Sequence, residues 1–244
     1  MLTIAIAAAL TTSVVWNGVT LGAPVSTLRP ALGDPLRIVA SPDGSLHAAR
    51  YWIAGSNATF FIVLDKRGTI EAVHAFTTTM EPNAFANVPA DPSGVRLGDT
   101  LESVKAAHPK FRPETTDDGA PQLVGLVGDS TEVTYEFNDR RVRSFQWTLP
   151  VADGAPAQPP LAMPHGDSIA TAILDTQKDE SNGVRWEYMY LAFTPCDGET
   201  SWRSKGQALI NSGGRAYDRL HAACPTTKAE RDFFFDISAY FGKM

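Results

Sequence analysis

The sequence predicts an α+β fold, in which two tandem helix-plus-antiparallel-sheet repeats are followed by a third small α+β module. Three observations predict it: a glycine motif that recurs 76 positions later, two hairpins rich in apolar side chains, and a proline-rich segment near residue 155. With 43% hydrophobic residues among 244, the chain has enough apolar material for a packed core. The predicted segments are a signal peptide at 1–15, repeats at 16–88 and 89–150, a linker at 151–165 and a C-terminal module at 166–244.

The repeat is visible as a short motif followed by a helical pattern. Gly18-Val19-Thr20-Leu21-Gly22 returns as Gly94-Val95-Arg96-Leu97-Gly98. Apolar residues then recur with a spacing of three, which is typical of one side of a short helix: Val25, Leu28 and Ala31, and again Leu101, Val104 and Ala107. Asp99 with Glu102 predicts a capping box at the start of the second helix.

Each helix is followed by a predicted hairpin, Thr59–Phe76 in the first repeat and Thr131–Leu149 in the second. The second hairpin alternates cleanly, so one face packs on the helix and the other meets water. The first is apolar on both faces, and its second face needs a cover. That cover is either the neighbouring module or a partner protein. The candidate binding residues for a partner are Trp52, Phe61, Val63 and Val73.

These features resemble a known family. The glycine motif, the Val25/Leu28 helix pattern and the stop Leu32-Gly33-Asp34-Pro35 resemble the SmpA/OmlA outer-membrane lipoprotein family. The tandem arrangement of the two copies resembles that of the β-lactamase inhibitory proteins, which consist of two such modules. The resemblance covers residues 16–150 and implies a fold rather than a function. The chain departs from it in two ways, since it lacks a lipoprotein cysteine and has His108-Pro109-Lys110 at the second stop.

The N-terminus and the cysteines bear on the compartment. Residues 2–15 are apolar or small and too short to span a bilayer as a helix, which predicts a signal peptide and a periplasmic or secreted protein. The alternative is an N-terminal strand that contains Val14 and Val15. Cys196 and Cys224 are the two cysteines of the chain, and in an exported protein they pair as a disulfide. Free thiols, or a metal site that includes His221, remain the alternatives.

Five prolines between residues 150 and 164 predict an extended linker before the C-terminal module. In that module, residues 182–194 fit either a strand or a helix, and we favour a helix. Three strands are predicted to follow it, at 207–211, 216–223 and 231–238, with Gly213-Gly214 in the first turn.

Charge and motifs exclude several function classes. A net charge of −6 argues against a nucleic-acid partner, and the common nucleotide, zinc and serine-hydrolase motifs are absent from the sequence. We therefore expect a non-enzymatic exported protein that binds another protein or an envelope component, without a cofactor, a metal or a transmembrane span. The alternatives are a structural envelope protein, or an enzyme with a site between the second and third modules. For the enzyme, His165, Asp167 and His221 are the candidates.

Overall fold

The computed structural model describes residues 14–40, 47–65, 67–77, 79–80, 85, 87–128, 130–149 and 165–242. The predicted signal peptide up to residue 13 and the predicted linker from 151 to 164 lie outside these ranges. Val14 and Val15, at the end of the predicted signal segment, are described; Val14 packs against the core and Val15 begins a strand. Within the described residues, the chain is a mixed α and β structure that consists mainly of antiparallel strands.

Three α-helices are described: α1 (Leu28–Leu32), α2 (Leu101–Ala107) and α3 (Glu180–Phe193). The strands up to residue 80 are β1 (Val15–Trp16), β2 (Val19–Thr20), β3 (Arg37–Ala40), β4 (His47–Trp52), β5 (Ala58–Leu64) and β6 (Ile70–Thr77). The next four are β7 (Arg112–Thr115), β8 (Pro121–Val127), β9 (Thr131–Asn138) and β10 (Arg141–Thr148). The C-terminal strands are β11 (Ile173–Leu174), β12 (Pro195–Asp197), β13 (Thr200–Ser201), β14 (Arg203–Ser212), β15 (Arg215–Ala223) and β16 (Glu230–Asp236).

Strands β3 to β10 form one eight-stranded antiparallel sheet, in the order β3-β4-β5-β6-β10-β9-β8-β7. The two predicted hairpins, β5–β6 and β9–β10, lie side by side at its centre. There β6 pairs with β10, and Phe76 lies opposite Ser144. The halves therefore continue each other edge to edge. For this reason, the second half does not cover the apolar second face of the first hairpin. A neighbouring module was one of the two predicted covers for that face, and the second half of the sheet does not serve as that module.

The glycine motif before each helix has the same backbone conformation in both halves. Its glycines have positive φ angles, a region that glycine adopts without a steric penalty: Gly18 79°, Gly22 80°, Gly94 92° and Gly98 86°. The backbone N–H groups at the motif end and helix start bind the neighbouring hairpin: Gly22 to Ile70 (2.8 Å), Val25 to Gly68 (2.7 Å), Gly98 to Val142 (2.8 Å) and Leu101 to Arg140 (2.8 Å). These bonds attach each helix to one hairpin.

Helices α1 and α2 lie on one face of the sheet, which we call the helix face. Leu28 and Val104, predicted on the inner side of the two helices, are 1% and 0% exposed. They belong to one apolar core with the inward residues of the hairpins: Phe60, Ile62, Val73, Val133, Tyr135, Phe137, Phe145 and Trp147. The two-faced character predicted for the second hairpin is confirmed, because the residues on its other face are half-buried or exposed apart from Ser144: Glu132, Thr134, Glu136, Gln146 and Thr148.

Helix α2 begins at a different cap from the predicted one. Thr100 is the N-cap, and its side chain accepts a hydrogen bond from the backbone N–H of Ser103 at 3.2 Å. The prediction of Asp99 as the cap is wrong, because the Asp99 carboxylate accepts from the N–H of Arg96 at 2.8 Å and closes the preceding turn. Its carbonyl also binds the N–H of Val142 at 2.8 Å. Thr100 is thus the first residue free to cap the helix.

The C-terminal module is a four-stranded sheet in the order β11-β16-β15-β14, with β11 parallel to β16 and the other pairs antiparallel. The helix favoured over 182–194 is confirmed as α3. Asp179 caps it and accepts from the N–H of Asn182 at 2.9 Å. Trp186 and Tyr190 of this helix pack on Phe233 and Phe235 of β16.

Cys196 and Cys224 form a disulfide, with their Cα atoms 5.7 Å apart. The bond joins β12, which follows α3, to the residue after β15. The predicted disulfide is confirmed. The free-thiol and metal-ligand alternatives are wrong, since both sulfur atoms are bonded to each other.

The C-terminal module packs against the sheet face opposite α1 and α2, which we call the far face. Trp52 of β4 and Leu36, 5% and 0% exposed, belong to the core of the C-terminal module. The Cζ of Arg185 lies 4.9 Å from the centre of the Trp52 ring. The Asp34 carboxylate accepts from the N–H of Leu174 at 2.7 Å. Helix α3 therefore covers the β4 end of the far face.

Candidate functional site

The centre of the far face carries a group of half-buried rings, which we call the aromatic face: Phe61 of β5 with His74 and Phe76 of β6. Phe61 and Phe76 stack with ring centres 5.5 Å apart and an interplanar angle of 11°. His74 lies 5.5 Å from Phe76 at an angle of 38°. Because side chains alternate along a strand, these rings point away from the core that Phe60 and Val73 enter.

Arg50 of β4 holds the aromatic face against α3. Its Cζ lies 5.6 Å from the ring centre of Phe61, 5.8 Å from that of Phe76 and 4.2 Å from that of Phe193. Cation–π attraction stabilises such an arrangement, and more strongly when water is excluded. Partial burial and the nearby charge of Arg37 lower the pKa of Arg50.

A charged pair lies across the central seam from the rings. The pairing of β9 and β10 shifts register between Val142 and Ser144, as at a β-bulge, and Arg143 is the extra residue. Arg143 forms an ion pair with Glu136. Ser144 also donates to Glu136, at 3.1 Å. The carboxylate is therefore fixed by two donors at the edge of the aromatic face.

Together these groups line a cleft of about 380 Å³, with His74, Phe76, Met80, Glu136, Asn138 and Arg143 among its walls. That volume lies within the range of ligand-binding clefts. Burial lowers the pKa of His74; Glu136 opposes this shift and Arg143 reinforces it. At pH 7 the His74 ring is therefore neutral. The cleft offers the Phe76 ring and the Met80 side chain, one neutral imidazole and one fixed Glu–Arg pair.

No protein-family model matches this chain, and no curated protein matches it. Among solved structures, an extracellular protein that contains an SCP domain, from Bacillus anthracis str. Ames, aligns with 11% sequence identity and a TM-score of 0.38. The alignment covers 52% of this chain and 43% of that chain, so it spans less than half of that protein. A likeness at this level identifies neither the fold nor the function.

The structure separates the four predicted binding residues. Phe61 and Val63 are half-buried on the far face. Trp52 shares that face, but it lies beneath α3 and its Nε1 donates to the Ser56 carbonyl at 2.9 Å. Val73 lies on the helix face and is 2% exposed, because it pairs with Ile62 and both enter the core. Trp52 and Val73 are therefore not available to a partner in this fold.

The sequence analysis did not identify four residues that line the cleft at the aromatic face: His74, Phe76, Glu136 and Arg143. The alternation of β6 could have shown that His74 and Phe76 share a face opposite to Val73. The pairing of β6 with β10, which brings Glu136 and Arg143 beside them, has no local signal in the sequence.

The three residues proposed for an enzyme do not converge. Arg231 of β16 donates to the His165 carbonyl at 2.6 Å, so His165 lies on the side of β16 from which Arg231 projects. His221 instead bonds Asp232 at 2.9 Å and Glu230 at 3.3 Å. Because Asp232 and Arg231 are neighbours on one strand, they project to opposite faces. Asp167 accepts from the Thr171 hydroxyl at 2.6 Å.

A second cluster joins serine, histidine and aspartate but lacks the geometry of a catalytic triad. The Nε2 of His108 lies 3.0 Å from the Ser93 hydroxyl. However, Ser93 donates to the buried Asp91 carboxylate at 2.7 Å, and Tyr135 also donates to Asp91. In a triad the carboxylate accepts a hydrogen bond from the histidine, whereas here it accepts one from the serine hydroxyl. The cluster therefore satisfies a buried carboxylate rather than activating Ser93.

Among the residues that the structure describes, no group of three or more His, Cys, Asp or Glu side chains is arranged to hold a metal ion. No described helix is both long and apolar enough to cross a membrane.

Proposed function

We propose that this chain is an exported, non-enzymatic protein that binds another protein, or an envelope component, through the aromatic face. The observation that carries the proposal is the cleft in which Phe76 and His74 lie beside the fixed pair of Glu136 and Arg143. Aromatic side chains and arginine contribute most to the energy of protein interfaces, and their neighbours mainly exclude water. The rings are already stacked and the ion pair is formed, so little side-chain entropy remains to be lost on binding.

Export is the second part of the proposal. The Cys196–Cys224 bond supports it, because disulfides form and persist in oxidising compartments. The apolar segment that begins at residue 2 is typical of a signal peptide, which is removed after export. Because Val14 packs on the core and Val15 begins β1, we place the cleavage before residue 14. A periplasmic or a secreted location fits both features.

We further infer that the two halves of the eight-stranded sheet are tandem copies of one module, of the kind that the SmpA/OmlA resemblance implies. Three facts support this inference. The motif glycines have matching positive φ angles, the same backbone bonds tie each helix to its hairpin, and four strands run from each outer edge to the central seam. Superposition of residues 16–80 on 92–149 tests it, with Leu28 expected to coincide with Val104.

Site-specific photo-crosslinking in cells that naturally produce the protein tests the binding role. A benzophenone amino acid in place of Phe76 is expected to give one discrete adduct. The same group in place of Leu209, an apolar residue 48% exposed on β14, serves as the matched control. Arg143→Glu is expected to abolish the adduct at position 76 without altering the fold. Equal labelling at both positions, or an adduct that is indifferent to Arg143→Glu, would contradict the proposal.

A further inference from the structure

A second cleft, separate from the aromatic face, lies between β3 and the C-terminal module. Its volume is about 530 Å³, within the range of small-molecule sites. The floor of this β3–α3 cleft is apolar and comes from both parts of the chain: Leu36, Ile38, Tyr190, Phe193 and Phe233.

The floor is held in place by packing on its far side. Leu36, Tyr190 and Phe233 are 0%, 2% and 1% exposed. The Arg50 guanidinium lies 4.2 Å from the ring centre of Phe193 and fixes its position. Because the side chains are already ordered, a ligand that enters the cleft has little conformational entropy to remove from the protein.

The rim of the cleft is cationic. The Cζ of Arg231 lies 4.3 Å from the ring centre of Phe233, and its Nη2 donates to the His165 carbonyl at 2.6 Å. Arg37, on the edge strand β3, also lines the cleft. Within the described part of the chain, neither guanidinium forms an ion pair. The nearby Asp167 carboxylate accepts a hydrogen bond from the Thr171 hydroxyl, and this bond, with a smaller contribution from Arg231, lowers its pKa.

We propose that the β3–α3 cleft binds a small organic anion, a carboxylate on an aromatic or short alkyl body. The apolar body lies against Ile38 and Phe193, the half-buried side chains of the floor, and the carboxylate meets the Arg231 guanidinium. A planar guanidinium held against a ring presents fixed N–H donors, which match the two oxygens of a carboxylate. Arg37 adds a second positive charge to the lining of the cleft.

Titration with 1-naphthoate, followed by the NMR signals of the Leu36 and Ile38 methyl groups and by calorimetry, tests the proposal. The neutral 1-naphthamide has the same ring system without the charge. Saturable shifts of both methyl groups are expected with 1-naphthoate, with binding about tenfold weaker for the amide because the charge-assisted bond is lost. Shifts elsewhere only, or equal affinity for acid and amide, would overturn the proposal.

Variants that remove one charge identify which arginines bind the carboxylate. Arg231→Gln and Arg37→Gln are each expected to weaken 1-naphthoate binding by about five- to tenfold, and to leave the weaker 1-naphthamide affinity unchanged. Arg203→Gln is the matched control, because Arg203 is exposed on β14, two strands away from β16. Thermal unfolding and the methyl spectrum verify that each variant is folded. If Arg231→Gln does not fold, the affinity of Arg37→Gln and the comparison of 1-naphthoate with 1-naphthamide still test whether the cleft binds the anion. Unchanged affinity in a folded Arg231→Gln variant would rule the site out.

Discussion

Gly183, near the start of α3, shows how a single residue determines the packing of the C-terminal module. A Cβ atom at this position would overlap the ring of Tyr240. The missing side chain lets Tyr240 lie against the helix, and its hydroxyl donates to Glu187 Oε1 at 2.8 Å, one turn further along. Glycine is a poor helix former, but at position 183 it allows the contact between α3 and Tyr240.

We predict that Gly183→Ala destabilises the protein by about 1–3 kcal/mol, because the clash with Tyr240 outweighs the roughly 1 kcal/mol that alanine gains in helix propensity. Chemical denaturation monitored by circular dichroism measures it. Gly206→Ala is the control, since a Cβ there meets no atom within 4 Å and its φ is not positive. A Gly183→Ala protein as stable as the control would contradict the packing account.

Three carboxyl groups are buried beneath α3 next to Tyr240: Asp175, Glu187 and Asp218, which are 0%, 0% and 5% exposed. None of the three is in an ion pair with a described residue. Burial and the neighbouring Asp218 raise the pKa of Glu187 to about 9, and burial raises the pKa of Asp175 to about 7. At neutral pH the folded module therefore keeps Glu187 protonated, whereas the unfolded chain ionises it.

The raised pKa of Glu187 predicts that its contribution to stability is complete below about pH 4.5 and is lost as the pH rises towards 9. Between these limits the folded state binds the extra proton, with a maximal slope of about 1.4 kcal/mol per pH unit for one proton. Glu187→Gln, which stays neutral, is expected to flatten the dependence of the unfolding free energy on pH between 5 and 9. Glu180→Gln, exposed on the same helix, is expected to keep it. Parallel curves for Glu187→Gln and wild type would contradict this.

At the scale of elements, the disulfide determines how the segment after α3 is held to the sheet. It closes a loop of 28 residues between β12 and the end of β15. In the chain-entropy model such a loop contributes about 3–4 kcal/mol. The strands β12 and β13 form only a two-stranded sheet of their own, so the covalent bond is their strongest attachment to β15.

We predict that Cys196→Ser lowers the free energy of unfolding by about 2–4 kcal/mol, and that adding Cys224→Ser costs little more, because both changes break one bond. Denaturant titrations with and without a reductant measure this. The reductant is expected to destabilise the wild type and leave the double variant unchanged. Wild-type stability that does not respond to complete reduction would contradict the prediction.

The elements themselves were largely predictable from the sequence. The second hairpin follows from period-two alternation, α2 from the spacing of Leu101 and Val104, and the positive φ angles from the glycines of the motif. These are short-range patterns, which the local backbone enforces. The face on which Val73 lies was not predictable. The register of β5 and β6 shifts between Val63 and Leu64, so counting alternate residues from the hairpin turn assigns Val73 to the wrong face.

At the scale of the whole molecule, Trp52 links the large sheet to the C-terminal module. It belongs to β4 by sequence and to the core around Trp186 and Phe235 by packing. The two parts of the chain are therefore expected to unfold together, even though a proline-rich segment separates them in the sequence.

We predict that Trp52→Ala destabilises the protein by about 3–5 kcal/mol through the cavity it leaves, and that amide hydrogen exchange becomes faster in α3. Leu126→Ala on β8, where the leucine is 61% exposed, is the control and is expected to change stability by about 0.5 kcal/mol or less. Exchange rates in α3 that remain at wild-type values in folded Trp52→Ala would show that the two parts are not coupled.

The sequence by itself determined the local parts of this protein: the two motif turns, the helices and hairpins that follow them, and the cysteine pair. Only the tertiary structure decided that β6 pairs with β10, that Arg143 lies beside Glu136 at a bulge, and that α3 covers Trp52. The physical reason is that turns and periodicity depend on neighbouring residues. Strand pairing between distant segments depends on which edges remain free and which faces must be buried. The aromatic face and the β3–α3 cleft both arise from such long-range contacts.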